Sequence, residues 1–128
     1  MSNIEVGQVL GAHTRSGGRY SLKVLEGAER FTSSDEPNHY VEHLRNDSMS
    51  VGTYCIPAGG VDDQRPHSED EIYVVVSGRA QLRGGDLTAG VGPGLVVFVP
   101  AGEEHRFVEI TEDLTALVFF APAEGSRS

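Results

Sequence analysis

Two stretches of the chain are built alike: Gly59-Gly-Val-Asp-Asp-Gln-Arg-Pro-His67-Ser-Glu-Asp-Glu71-Ile-Tyr-Val-Val-Val-Ser-Gly78 and Gly94-Leu-Val-Val-Phe-Val-Pro100-Ala-Gly102-Glu-Glu-His105-Arg-Phe-Val-Glu109. Each sets a histidine among Gly and Pro turn residues, next to a short apolar run. Runs of this length, rich in Val, Ile, Phe and Tyr and bounded by turn residues, read as strands rather than helices. Fifteen residues separate the two stretches.

The same punctuation extends outward. His39 to Arg45 and Met49 to Ile56 read as strands joined by a turn at Asn46-Asp47-Ser48, and Pro57-Ala-Gly-Gly60 closes the second. Glu71 to Val76 is a strand ended by Ser77-Gly78, and Ala80 to Arg83 is a short one that meets Gly84-Gly85-Asp86. Gly90-Val-Gly-Pro-Gly94 is turn chemistry, and Leu95 to Val99 runs up to Pro100. His105 to Ile110 and Leu114 to Phe120 flank Thr111-Glu-Asp113. Tyr20 to Leu25 fits a strand or a short helix. Six or more short strands with turns every eight to twelve residues, and no long helical period, indicate an all-β sandwich or barrel.

Strand side chains alternate between faces, so His67, Glu69, Glu71 and Tyr73 share one face, and His105, Phe107 and Glu109 share another. His67, Glu71 and His105 offer two imidazoles and one carboxylate. That donor set suits a divalent transition metal (iron, manganese, nickel, zinc or copper) and leaves coordination positions open for a ligand. Tyr73 and Phe107 are expected in the core or pocket wall. Tyr54 shares a strand face with Ser50, Gly52 and Ile56 and is a further wall residue.

The two stretches resemble the paired motifs of the cupin family. The first family motif reads Gly, five residues, His, one residue, His, three or four residues, Glu, six residues, Gly; Gly59, position 65, His67, Glu71 and Gly78 fall in that register. The second reads Gly, five residues, Pro, one residue, Gly, two residues, His, three residues, Asn; Gly94, Pro100, Gly102, His105 and Glu109 occupy those places. The resemblance is strongest over residues 50 to 121. It implies a cupin-type double-stranded β-helix, a jelly-roll barrel, whose topology brings both motif faces into the barrel mouth.

This sequence departs from the family pattern twice. Arg65 stands where the first motif has its first histidine, and Glu109 stands where the second has asparagine. A guanidinium stays protonated and cannot ligate a metal, so the family's three His and one Glu shrink to two His and one Glu. Gln64, through its amide oxygen, and Glu69 are the candidates for the fourth position or for support behind the ligands. Arg65 itself is placed to pair a carboxylate of the substrate or of Glu69. Under the resemblance the protein binds a metal and a small-molecule ligand or substrate. It is then either a metal-dependent enzyme of oxygenase, isomerase or cyclase type acting on a small polar organic molecule, or a non-catalytic or metal-free binding module. Fold resemblance does not choose between them.

Composition bounds the rest. With 128 residues this is one domain, expected to divide into N-terminal strands and turns packed on the barrel (1–49), a barrel core (50–121) and a flexible tail (122–128). The net charge is −9 and no Lys/Arg cluster interleaves with aromatics, which argues against nucleic acid and anionic membranes as partners. The single cysteine, Cys55, excludes an internal disulfide and fits a reducing compartment. Residues 1 to 20 lack the apolar core of a signal peptide, and no apolar stretch is long enough to span a bilayer, so a cytoplasmic location is expected. Ile4 to Leu10 is an apolar segment suited to adding a strand to a partner's sheet, and a homodimer is expected.

Overall fold

The structure is a computed structural model that describes residues 8–14 and 21–127. Among these residues there are eight strands and no helix: β1 (Gln8–Thr14), β2 (Ser21–Glu26), β3 (His39–Arg45), β4 (Ser50–Ile56), β5 (Asp70–Gly84), β6 (Leu87–Val91), β7 (Val96–Val99) and β8 (Arg106–Ala121). No helix is long and apolar enough to cross a membrane.

β1 and β2 pair with each other in a separate two-stranded sheet. The segment from Tyr20, readable either way from sequence, is therefore a strand, from Ser21. Of the segment expected to reach a partner, Ile4 to Gly7 lie outside the described residues, and Gln8 to Leu10 lie in β1. The other six strands form one antiparallel sheet in the order β3-β4-β8-β5-β6, with β7 added on β5. β3, expected within an N-terminal unit, is thus an edge strand of the main sheet, paired with β4 from His39↔Cys55 to Arg45↔Ser50.

The length of β5 and β8 makes this sheet close over one core. Ser77-Gly78 and Thr111-Glu-Asp113 were expected to end strands, but both chains run straight through them. Their mutual pairing continues from Asp70↔Ala121 to Arg83↔Arg106, with register shifts between Val75 and Gln81. The shifts reverse the inward parity. On β5 the buried positions are Glu71, Tyr73 and Val75 before the shifts and Ala80 and Leu82 after them. On β8 they are Phe107, then Ile110, Leu114, Thr115, Ala116, Val118 and Phe120. A bulge that adds residues to one strand bends it and re-aims the side chains beyond it. One core thus takes residues from β4 through β8.

Two backbone positions carry the bend. Gly78 has φ 99° and lies against Asp113 and Leu114, where a side chain has no room. Glu109 has φ 49°, the one non-glycine described residue in the left-handed region. That conformation costs an ordinary L-residue about 1 kcal/mol, and asparagine tolerates it better. Glu109→Asn is therefore expected to stabilise the fold by about 0.5–1 kcal/mol, read as a higher urea midpoint at unchanged slope. No gain would mean that the bulge holds Glu109 without strain.

The C-terminal residues, expected to be loose, are tied down. Ala123 is buried, Glu124 N donates to Ser50 Oγ (2.9 Å), and Gly125 N and Arg127 N donate to the Glu69 carboxylate (2.9 and 3.0 Å).

Candidate functional site

β5 presents Glu71 and Tyr73 inward, and the start of β8 brings His105 and Phe107 opposite them. The loop from Gly60 to Asp70 lays Asp62, Gln64 and His67 across the opening. Their side chains form one continuous run. His67 Nε2 lies 3.3 Å from Gln64 Oε1, and Gln64 Nε2 donates to Tyr73 OH (2.7 Å). Tyr73 OH and Glu71 Oε1 each lie 3.0 Å from His105 Nε2.

The protonation of His105 follows from its other nitrogen. Nδ1 lies 3.0 Å from the Glu103 carbonyl, which only accepts, so Nδ1 carries a proton. In the neutral ring Nε2 then keeps its lone pair and faces Tyr73 and Glu71. This arrangement orients an imidazole for ligation. Burial lowers the His105 pKa, but the Glu71 carboxylate beside it and the Glu103 carbonyl outweigh that and raise it above 6.5. Burial, then the charges of Glu71 and Asp62, hold the Tyr73 phenol far above its ordinary range, so it stays protonated.

Glu71 is the anomaly. Its side chain is 1% exposed, yet neither carboxylate oxygen receives an aligned hydrogen bond. The 3.0 Å approach of His105 Nε2 is an ion-pair distance, and that nitrogen donates to the carboxylate only when it is protonated. A buried carboxylate with unused lone pairs is costly unless a cation completes it.

Asp62, which the sequence reading passed over, anchors the loop. Its carboxylate accepts from Tyr54 OH (2.9 Å), Phe107 N (2.9 Å) and Gln64 N (3.3 Å), and Gln64 Nε2 lies 3.4 Å away. An aspartate in a run such as Val61-Asp-Asp-Gln64 reads as solvated, and only the fold shows it 1% exposed.

Not every expected residue joins this group. Glu69 is buried but turned to the tail; burial raises its pKa, while Ser68 and the Gly125 and Arg127 amides outweigh that and lower it. Phe107 is core, edge-on to Tyr73 at 5.0 Å. Glu109, within the bulge of β8, lines a separate groove with Arg79 and Gln81. Arg65 is exposed and makes no pair with Glu71 or Glu69. Among the described residues, no three His, Cys, Asp or Glu side chains converge as a metal cluster. The Glu71–His105 pair is direct, and His67 reaches it only through Gln64 and Tyr73.

Beside His67 lies a cavity of about 170 Å³, walled by Tyr40, Tyr54, Val118 and Phe120 with Asn38, Gln64 and Glu124. The His67 ring stands edge-on to Phe120 at 4.7 Å, and its Nδ1 lies 3.7 Å from Glu124. Tyr54 is thus both a core residue and part of this wall. The cavity's apolar wall and polar fringe are the ordinary composition of a small-molecule site.

A model of the cupin domain matches residues 52–121. An uncharacterized protein of Streptomyces coelicolor is 52% identical over 85 residues, covering 66% of this chain and 81% of that protein. Among solved structures, TT1209 from Thermus thermophilus matches with TM-score 0.65 at 23% identity, over 80% of this chain and 97% of that one. The DMSP lyase DddQ from Ruegeria pomeroyi matches with TM-score 0.58 at 27% identity, over 66% of this chain; the match spans 45% of that lyase.

Proposed function

The chain belongs to the cupin family, and from that premise we propose that it binds a divalent transition metal at Glu71 and His105, and a small polar organic molecule beside it. The unsatisfied, buried carboxylate of Glu71 next to a ligation-ready His105 Nε2 carries this reading. His67 and the Gln64 amide oxygen complete the donor set. Because His67 Nε2 already contacts Gln64 Oε1, either Gln64 is itself a ligand or its side chain moves aside for His67. When bound, such an ion acts as a Lewis acid on a ligand oxygen. Tyr73, protonated and in contact with both Gln64 and His105, is the proton donor nearest that position, and the aromatic cavity beside His67 takes the rest of the molecule. The likeness to a DMSP lyase supports an enzymatic role without naming the reaction.

A second reading, a metal-free binding module, has one observation in its favour. A protonated His105 neutralises Glu71 without any metal. One experiment separates the two. Protein treated with EDTA is melted with and without manganese, iron(II), nickel, zinc or copper, for wild type and Glu71→Gln, at several pH values. The metal reading expects at least one ion to raise the wild-type Tm, by mass action worth about 2.7 kcal/mol at a hundred times Kd, with no rise in the variant. The increment grows as pH rises. Below the raised pKa of His105 the ring holds a proton on Nε2 that a metal must displace. The His105–Glu71 ion pair of the metal-free protein is complete below about 6.5 and is lost as pH rises through the raised value, which favours metal further. Equal melting with and without every ion, across pH, would leave the binding module standing.

A further inference from the structure

We propose that the groove on the outer side of Gln64 and His105 is an oxyanion subsite, in which Arg65, Arg83 and Arg106 grip the carboxylate or phosphate group of a small organic acid. This extends the metal-site reading to the chemistry of its ligand.

The groove measures about 550 Å³, and the three arginines line it together with Gln64 and His105. Arg83 and Arg106 are direct partners across β5 and β8. The neighbouring pair, Leu82 and Phe107, is buried inward, so the arginine row faces outward, toward solvent. Like charges directly opposite on adjacent strands repel and destabilise a sheet. Two other arginines of the sheet are paired: Arg45 with Glu42 at 2.9 Å and Arg79 with Glu112 at 3.9 Å. Among the described residues, Arg65, Arg83 and Arg106 have no carboxylate within the 4.0 Å that defines such a pair.

Chance clustering is a poor explanation in a chain with 10 Lys and Arg against 19 Asp and Glu. Two acidic residues, Asp63 and Glu104, also line the groove. Neither lies within ion-pair distance of the three arginines, and Asp63 accepts instead from the Asn38 amide at 2.7 Å. Guanidinium forks match the geometry of carboxylate and phosphate oxygens, and a bound oxyanion would relieve the Arg83–Arg106 repulsion. The position also has a chemical logic. Gln64 and His105 line the same groove as the three arginines, so an anion held there lies next to two of the residues proposed to hold the metal. Arg65 cannot ligate a metal, but its guanidinium suits an anion.

The test uses purified protein, both as isolated and after EDTA treatment, titrated with sodium phosphate and separately with sodium malonate. Sodium chloride at matched ionic strength controls for screening. Binding is read as a Tm rise and as amide shifts in ¹H–¹⁵N spectra. The proposal expects phosphate, malonate or both to raise Tm beyond chloride, with shifts centred on residues 63–66, 83–85 and 104–106; which anion acts identifies phosphate or carboxylate as the natural group. Arg83→Gln/Arg106→Gln should weaken binding about tenfold or more, and Arg65→Gln likewise, while the double variant melts no lower than wild type in the absence of anion. Anion binding should persist after EDTA treatment, which keeps this proposal separate from the metal reading. The proposal is overturned if neither anion exceeds chloride, if the arginine variants respond as wild type does, or if binding vanishes with EDTA.

Discussion

Gly78→Ala is expected to cost the fold about 3 kcal/mol or more, a large share of the total stability of a domain this size. Two effects add. The backbone there has φ 99°, which an L-residue adopts at a cost of about 1–2 kcal/mol. A Cβ at that position would also collide with the Asp113 carbonyl and lie 2.6 Å from Leu114 Cα, both backbone atoms that cannot swing away. Gly94 is the control. It has φ 90°, but a Cβ there meets nothing within 4 Å. Gly94→Ala should therefore lose only the conformational part. Urea unfolding of both variants gives the comparison, and equal losses would mean that the contact with β8 is not what demands glycine at 78.

Asp62→Ala is expected to be comparably damaging, at about 3–4 kcal/mol. The substitution leaves the Tyr54 hydroxyl and the Phe107 amide buried without acceptors and frees the loop that carries Gln64 and His67. Tyr54→Phe removes one of these partners together with its need, and should cost about 1 kcal/mol. The site should feel the larger change as well. With Gln64 released, metal stabilisation should fall about tenfold or more in apparent affinity even where the variant remains folded, as is usual when groups that orient ligands are removed. A loss of stability in Asp62→Ala no greater than in Tyr54→Phe would contradict the anchoring role.

The strands themselves were legible because turn residues and β-branched runs follow local rules. The all-β class, β3, β4, β7 and the motif spacing could all be read that way. The continuity of β5 and β8 could not. Ser77-Gly78 and Thr111-Glu-Asp113 carry turn chemistry, and a bulge uses the same residues as a turn. Only the pairing of Val75 through Gln81 with β8 reveals which is present. β6 was missed because Leu87-Thr-Ala-Gly-Val91 is short, half-exposed and contains Gly90.

The site divides in the same way. Glu71 and His105 follow from the paired motif spacing and Tyr73 from alternation along its strand, and the structure brings them together through His105 Nε2, 3.0 Å from each of the other two. Gln64 is legible as a candidate from its amide oxygen beside the motif, and it lies in the chain of contacts. Asp62, Arg83, Arg106 and Glu124 carry no local signal. Their roles come from which strand or tail folds against them. Glu69 was expected to support the ligands by its position on the motif face. Its use by Gly125 and Arg127 depends on a tail contact more than fifty residues away.

The central claim, that Glu71 and His105 hold a metal with Gln64 or His67, is tested most directly by elemental analysis. Untagged protein and His105→Ala, purified side by side, are measured by plasma mass spectrometry as isolated and after reconstitution and desalting. About one equivalent per chain of iron, manganese, nickel, zinc or copper is expected in the wild type, with its loss in the variant. A wild type that holds no metal after reconstitution, or a variant that retains the full equivalent, would contradict it.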